Sequence, residues 1–164
     1  MLDFQLMGSL HTIYRKQVLD TDLQSAWEFI SSPANLDAIT PEDMQFSIVS
    51  EVPEKMYDGL MIEYLVQIPL IGKQSWLSEI KYIQDGKSFV DDQRIGPYKF
   101  WLHYHEVSEV AEGIQFIDKI IYSLPLGPIG SIAHVFYVKN KLKYIFDYRA
   151  AAMDKLFDPS NPTA

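Results

Sequence analysis

The sequence contains no cysteine. Disulfides, thiol nucleophiles and cysteine-based zinc or iron–sulfur sites are therefore excluded, and a reducing compartment suits the chain. Positive charge is also scarce: 14 Lys and Arg stand against 22 Asp and Glu, for a net charge of −8. An acidic surface repels phosphate backbones, so nucleic acid is not an expected partner. No apolar run reaches the length of about 18 residues that a membrane span needs. Met1 to Leu10 holds neither a basic segment nor a long apolar stretch, so no signal peptide is read there. The chain is expected in the cytoplasm.

What is present suits one full-sized domain. Of 164 residues, 48% are hydrophobic and 13% aromatic, enough for a substantial core and too many for disorder. Residues 1–10 read as a loosely held start. His11 to Leu19 alternates as a strand. Thr21, with Gln24 three positions on, reads as a capping box opening a helix whose Leu23, Ala26, Trp27 and Ile30 recur at helical spacing. Ser32-Pro33 starts a second short helix with Leu36 and Ile39 inward, and Thr40-Pro41 stops it.

The period then changes to two. Strands are expected over Gln45–Glu51, Leu60–Ile68, Lys73–Gln84, Lys87–Arg94, Lys99–Val110 and Ile114–Ser123, joined by short turns such as Asp85-Gly86 and Gly96-Pro97. This is an antiparallel meander. Leu124 to Gly130 is an apolar Pro/Gly loop, either a packed connector or a cavity gate. Ser131 is expected to cap a long helix reaching about Leu156. Its buried stripe would be Ile132, Val135 or Phe136, Leu142, Ile145 or Phe146, Arg149, Met153 and Leu156. Lys139, Lys141 and Lys143 read as a solvated helix face. Residues 11–157 thus form a single α+β domain of seven antiparallel strands, two short helices and a long C-terminal helix, with 158–164 as a loose tail. The helix must cover the sheet, and a twisted sheet around one helix leaves room for a small-molecule cavity.

Candidate chemistry centres on the strand Lys99–Val110. It places Trp101, His103 and His105 on one face and Phe100, Leu102 and Tyr104 on the other. Folding back through Ala111-Glu112 sets His105 opposite Asp118, His103 opposite Ile120 and Trp101 opposite Tyr122. A turn shifted by two residues keeps the same facing set. Across Gly96-Pro97 the register stays open: either Asp91 and Gln93 or Asp92 and Arg94 join that face. Arg149, on the inward stripe of the last helix, must snorkel or pair. It would meet a sheet carboxylate such as Asp91 or Asp118, or clamp an anionic ligand head. Trp76, on a neighbouring strand, is expected to line the cavity or the core.

Several segments carry a resemblance beyond this element order. They are Trp27-Glu28-Phe29-Ile30-Ser31-Ser32-Pro33-Ala34-Asn35-Leu36-Asp37-Ala38-Ile39-Thr40-Pro41, then Asp91-x-Gln93-x-x-Gly96-Pro97-Tyr98-x-x-Trp101-x-His103-x-His105, then Tyr122-Ser123-Leu124-Pro125-Leu126-Gly127, and Phe146-Asp147-Tyr148-Arg149. The chain resembles the helix-grip fold of the START-like superfamily, which includes the birch pollen allergen family, lipid-transfer START domains and aromatic polyketide cyclases. The segments are similar to those of a bacterial subfamily of SRPBCC (START/polyketide cyclase-like) ligand-binding proteins. The resemblance implies a cavity between sheet and helix, and it favours Asp91 and Gln93 for the cavity face. It does not name a reaction, because the fold hosts many.

Three readings of the polar set compete. It is a hydrogen-bonded core network, a polar pole orienting a hydrophobic or amphipathic ligand, or a catalytic site of cyclase or dehydratase type with His103 or His105 as general acid/base beside Asp118. The binding residues under the second reading are Trp76, Asp91, Gln93, Trp101, His103, His105, Asp118, Tyr122 and Arg149. His103, His105 and Asp118 also supply the two nitrogens and one oxygen of a three-ligand metal site. Paired ligand types at i, i+2 arise readily by chance on aromatic strands, so no metal and no cofactor is expected.

Overall fold

The computed structural model describes residues 1–7, 10–68, 71–127, 130, 134–158 and 160. Its strands are β1 (Leu2–Met7), β2 (Leu10–Leu19), β3 (Ser47–Ile48), β4 (Met61–Ile68), β5 (Gly72–Gln84), β6 (Ser88–Ile95), β7 (Phe100–Val110) and β8 (Gly113–Ser123). They form one antiparallel sheet in the order β1-β2-β8-β7-β6-β5-β4-β3. The architecture is α+β, as expected, but with eight strands rather than seven. The additional strand is the supposedly loose start. Leu2 and Phe4 pack against the cluster around Ile13 and Ile120, while Asp3 and Gln5 face out, so the segment has the period-two pattern that pairs it with β2.

Between β2 and β3 lie α1 (Leu23–Ile30) and a stretch of 3₁₀ helix, Pro33–Ile39. Asp22, not Thr21, caps α1, its carboxylate accepting from the Ser25 backbone N–H at 2.9 Å. The second short helix begins after Ser32 with Pro33 in its first turn, but it winds as 3₁₀ and the Ser32 hydroxyl makes no capping bond. The strand expected over Gln45–Glu51 shrinks to two residues. Gln45 takes a left-handed conformation (φ 41°) that ends a preceding 3₁₀ turn, leaving little extended chain before Pro53.

The C-terminal helix starts differently from the expectation. A π-helical turn, His134–Val138, leads into α2 (Lys139–Leu156). The wider turn shifts the phase of the stripe. His134 is buried, whereas Val135 and Phe136 are 63% and 78% exposed. Downstream, Leu142, Phe146, Ala150 and Met153 carry the inward face. Ser131 and Ile132 lie outside the described residues.

The helix is tied to the rest of the molecule along its edges. On one side Arg15 of β2 pairs with Asp147 at 2.7 Å, and Gln17 donates to the Ala150 carbonyl at 3.0 Å and to Asp154 at 2.6 Å. On the other, Lys141 pairs with Asp43 at 2.6 Å. Two apolar clusters fill the ends of the space beneath. One is built around Ile62, Ile80, Phe89 and Val107, the other around Ile13, Ile120, Tyr122 and Phe146.

The turn from β7 to β8 needs glycine. Gly113 sits at φ 132°, and a Cβ there would stand 2.3 Å from the Leu19 carbonyl oxygen. Gly86, in the β5–β6 hairpin at φ 73°, has open space around it. Gly113→Ala is expected to cost about 3 kcal/mol or more, combining backbone strain with collision. Gly86→Ala should cost about 1 kcal/mol. Urea midpoints of the two variants check this; equal losses would show that the collision is relieved by a small shift.

Candidate functional site

The β7–β8 register places His105 opposite Asp118, His103 opposite Ile120 and Trp101 opposite Tyr122, as the alternation predicts. Asp91 pairs across with His103, so it is Asp91 that joins this face from β6. Arg149 reaches the same region from α2. The sheet and the helix thus bring Asp91, His103, His105, Asp118 and Arg149 together, and all five line one cavity of about 530 Å³. Its other walls are mostly apolar and aromatic, among them Tyr64, Trp76, Phe89, Trp101, Phe116 and Phe146. Ile71 and Leu126 line it while being 65% and 73% exposed, which marks its mouth. Leu124, Pro125 and Gly130 of the apolar loop also border it; Pro128 and Ile129 lie outside the described residues.

Asp118 is the hub of the polar pole. Its Oδ1 stands 2.7 Å from His103 Nε2, 3.2 Å from His105 Nδ1 and 3.5 Å from Arg149 NH1. Burial alone would raise its pKa, but the two histidines and the guanidinium reverse the sign and hold it well below the usual carboxylate range. Asp118 is therefore an anion, and the His103 nitrogen facing it carries a proton and donates. His103 itself stays neutral: burial, then the neighbouring His105 ring, push its pKa down to about 3, against the pull of Asp118. The His103 and His105 rings lie 3.7 Å apart, and Phe89 stacks on the far side of His105 at 4.4 Å. This sandwich fixes both imidazoles in the wall.

Asp91 behaves in the opposite way. Burial dominates and raises its pKa, with Ser78, His105 and Arg149 only partly opposing it. Its Oδ1 has no hydrogen-bond partner among the described residues, and neither has Arg149 Nε. An unsatisfied buried polar atom typically costs about 1–3 kcal/mol.

The remaining expected site residues fall elsewhere. Gln93 staples the β6–β7 turn, its amide donating to the Tyr98 carbonyl at 2.8 Å. A Cβ on Gly96 would stand 2.4 Å from that same side chain, so a larger residue there would make Gln93 move. Tyr122 is completely buried and its hydroxyl meets His134 Nε2 at 2.7 Å. His11 stacks on His134 at 3.5 Å. The sequence reading missed this second histidine pair. Its signal was the β2–β8 pairing that puts His11 beside Tyr122, but the phase shift of the π-helical turn hid His134. Ser78 was missed too. It is fully buried on β5, accepts from Trp76 Nε1 at 3.1 Å and bonds Asp91.

His103, His105 and Asp118 place one potential ligand atom each within 4.8 Å of one another, close enough to surround an ion. The Asp118 oxygen, however, already faces two imidazole nitrogens and a guanidinium. A dication there would have to displace the Arg149 charge.

No family model matches the sequence, and no curated protein matches it. Solved structures share the fold. Major latex-like protein 151 from Panax ginseng superposes with a TM-score of 0.64 at 14% identity, over 93% of this chain and 100% of that one. A protein from Chromobacterium violaceum gives 0.68 at 11% identity, over 94% and 100%. One from Thermus thermophilus gives 0.66 at 11%, over 87% and 94%. At these identities the likeness is one of fold.

The depressed His103 has a consequence for stability. Unfolded, it takes a proton near pH 6.5; folded, it resists until about pH 3, so the unfolded state binds more protons between these values. Stability is expected to fall as pH drops below about 6.5, by up to about 1.4 kcal/mol per pH unit from this residue. Urea midpoints across this range check it, with His103→Gln showing a shallower slope. Parallel slopes would place the acid sensitivity elsewhere.

Proposed function

We propose that the protein binds a hydrophobic or amphipathic small molecule, such as a lipid or polyketide, inside the cavity between the sheet and α2. The observation that carries the reading is the cavity itself: about 530 Å³, walled mainly by apolar and aromatic side chains, with its few polar groups gathered at one pole. Such a site takes its affinity from apolar burial and its orientation from the polar groups. Under this reading the chain is a helix-grip protein of the START-like kind, in which Trp76 and Trp101 form part of the apolar wall and Asp91, His103, His105, Asp118 and Arg149 form the pole. Gln93 and Tyr122 support it from behind, through the β6–β7 turn and the His134 contact. The lack of cysteine suits the cytoplasm as the compartment.

An acid/base role for His103 draws less support. Efficient proton transfer wants a group whose pKa lies near the working pH, and His103 titrates near 3 with one nitrogen committed to Asp118. His103 fits a fixed dipolar wall better than a proton shuttle.

Native mass spectrometry of the purified chain, followed by denaturing extraction, tests the reading. A stoichiometric apolar or amphipathic molecule is expected. Leu36→Trp, which adds bulk at the cavity wall, should lower the bound fraction severalfold with little loss of stability. Ligand retained at full stoichiometry in that variant would place it outside the cavity.

A further inference from the structure

Asp91 and Arg149 line the cavity, and each keeps one buried polar atom without a hydrogen-bond partner among the described residues. Asp91 belongs to β6 and Arg149 to α2, so the two residues flank the cavity from its two opposing layers. The other ends of both side chains are engaged, Asp91 with Ser78 and Arg149 with Asp118. A third unpartnered atom, Arg15 Nε, belongs to the ion pair at the helix edge and not to the cavity.

We propose that this pole recognises a neutral carbonyl oxygen of the ligand, held by hydrogen bonds from Arg149 Nε and from the carboxyl group of Asp91. The inference rests on the cavity-binding reading and adds the chemical class of the ligand's polar end. A guanidinium Nε–H can only donate, so the ligand atom facing it must accept. That excludes an ammonium head, which has no lone pair to accept with. Charge balance narrows the choice further. Arg149 is matched by the Asp118 anion, and a carboxylate ligand would bring a second anion with no cation to answer it in a poorly solvated space. Burial favours the protonated form of Asp91, which then has an O–H to give. The terminal torsion of an Asp side chain is soft, so a small turn of the carboxyl group presents Oδ1 to the cavity. A carbonyl oxygen that accepts from both groups draws electron density towards itself. The ligand would be gripped by the group that a keto, ester or amide function offers, with its hydrocarbon part among the rings of the apolar wall.

Acetophenone and ethylbenzene test this, because they differ only by an oxygen in place of two hydrogens. Both are volatile, so headspace gas chromatography over a solution of the full chain gives their free concentrations and hence their affinities. The wild type is expected to bind acetophenone at least as tightly as ethylbenzene, although water holds the ketone more strongly. In Asp91→Ala the acetophenone-to-ethylbenzene affinity ratio should fall roughly tenfold; in Asp91→Asn, which keeps a donor, the ratio should largely survive. A ratio unchanged by Asp91→Ala overturns the carbonyl proposal while ethylbenzene binding upholds the cavity. Binding of neither probe to the wild type overturns both. Infrared spectroscopy of acetophenone isotope-labelled at the carbonyl supplies a readout that needs no variant. The bound C=O stretch is expected below its position in an alkane solvent, and a band at the alkane position overturns the proposal.

Discussion

A helix fastened along both edges over a cavity is the constraint on which this molecule depends. Arg15 and Gln17 hold α2 to β2, and Lys141 holds it to Asp43 on the opposite flank. These bonds are polar and peripheral. Each contributes modestly, as partly exposed pairs do. Their effect is geometric: they hold the helix over the cavity, which Leu142, Phe146 and Met153 line from above. A tighter apolar contact along the whole stripe would bury more surface and abolish the cavity.

The interior left open is not uniformly oily. Its polar pole sets the Asp118 anion against the Arg149 guanidinium and two imidazoles, all within a few ångströms. The order of dependence is clear. Asp118 stays ionised because it is surrounded by donors; His103 stays neutral because it is buried and crowded by His105; Asp91 is pushed the other way because it has too few partners. Two carboxyls lining one cavity are thus driven to opposite protonation preferences by their neighbours alone.

Much of this was legible in the sequence, for physical reasons. Strand alternation and the short β7–β8 turn fix which side chains face together, so the His103, His105 and Asp118 grouping follows from counting residues. Arg149 on an inward stripe had to meet a carboxylate, and it did. Features that depend on local winding were not legible. The π-helical turn at His134–Val138 changes the helical phase without any breaker residue to announce it. Gln93 looks identical, by alternation, to a cavity residue, yet its side chain folds back onto the Tyr98 backbone. Thr21 and Asp22 are neighbouring residues that can both cap, and the observed chain path chooses Asp22. The strand β1 was overlooked because six residues with two charged or polar outward positions resemble a frayed end until β2 supplies a partner.

That same β1 governs how the molecule behaves in a crowd of its own kind. An open sheet ends in two rows of unsatisfied backbone groups, which invite pairing between copies. Here one boundary strand is β3, only two residues long. At the other boundary β1 lies over the ten-residue β2, whose long ladder would otherwise face solvent. The outermost rung is short and carries Asp3 and Gln5 outward. Together with a net charge of −8, this gives the β1 margin a short, polar edge that disfavours pairing between copies there.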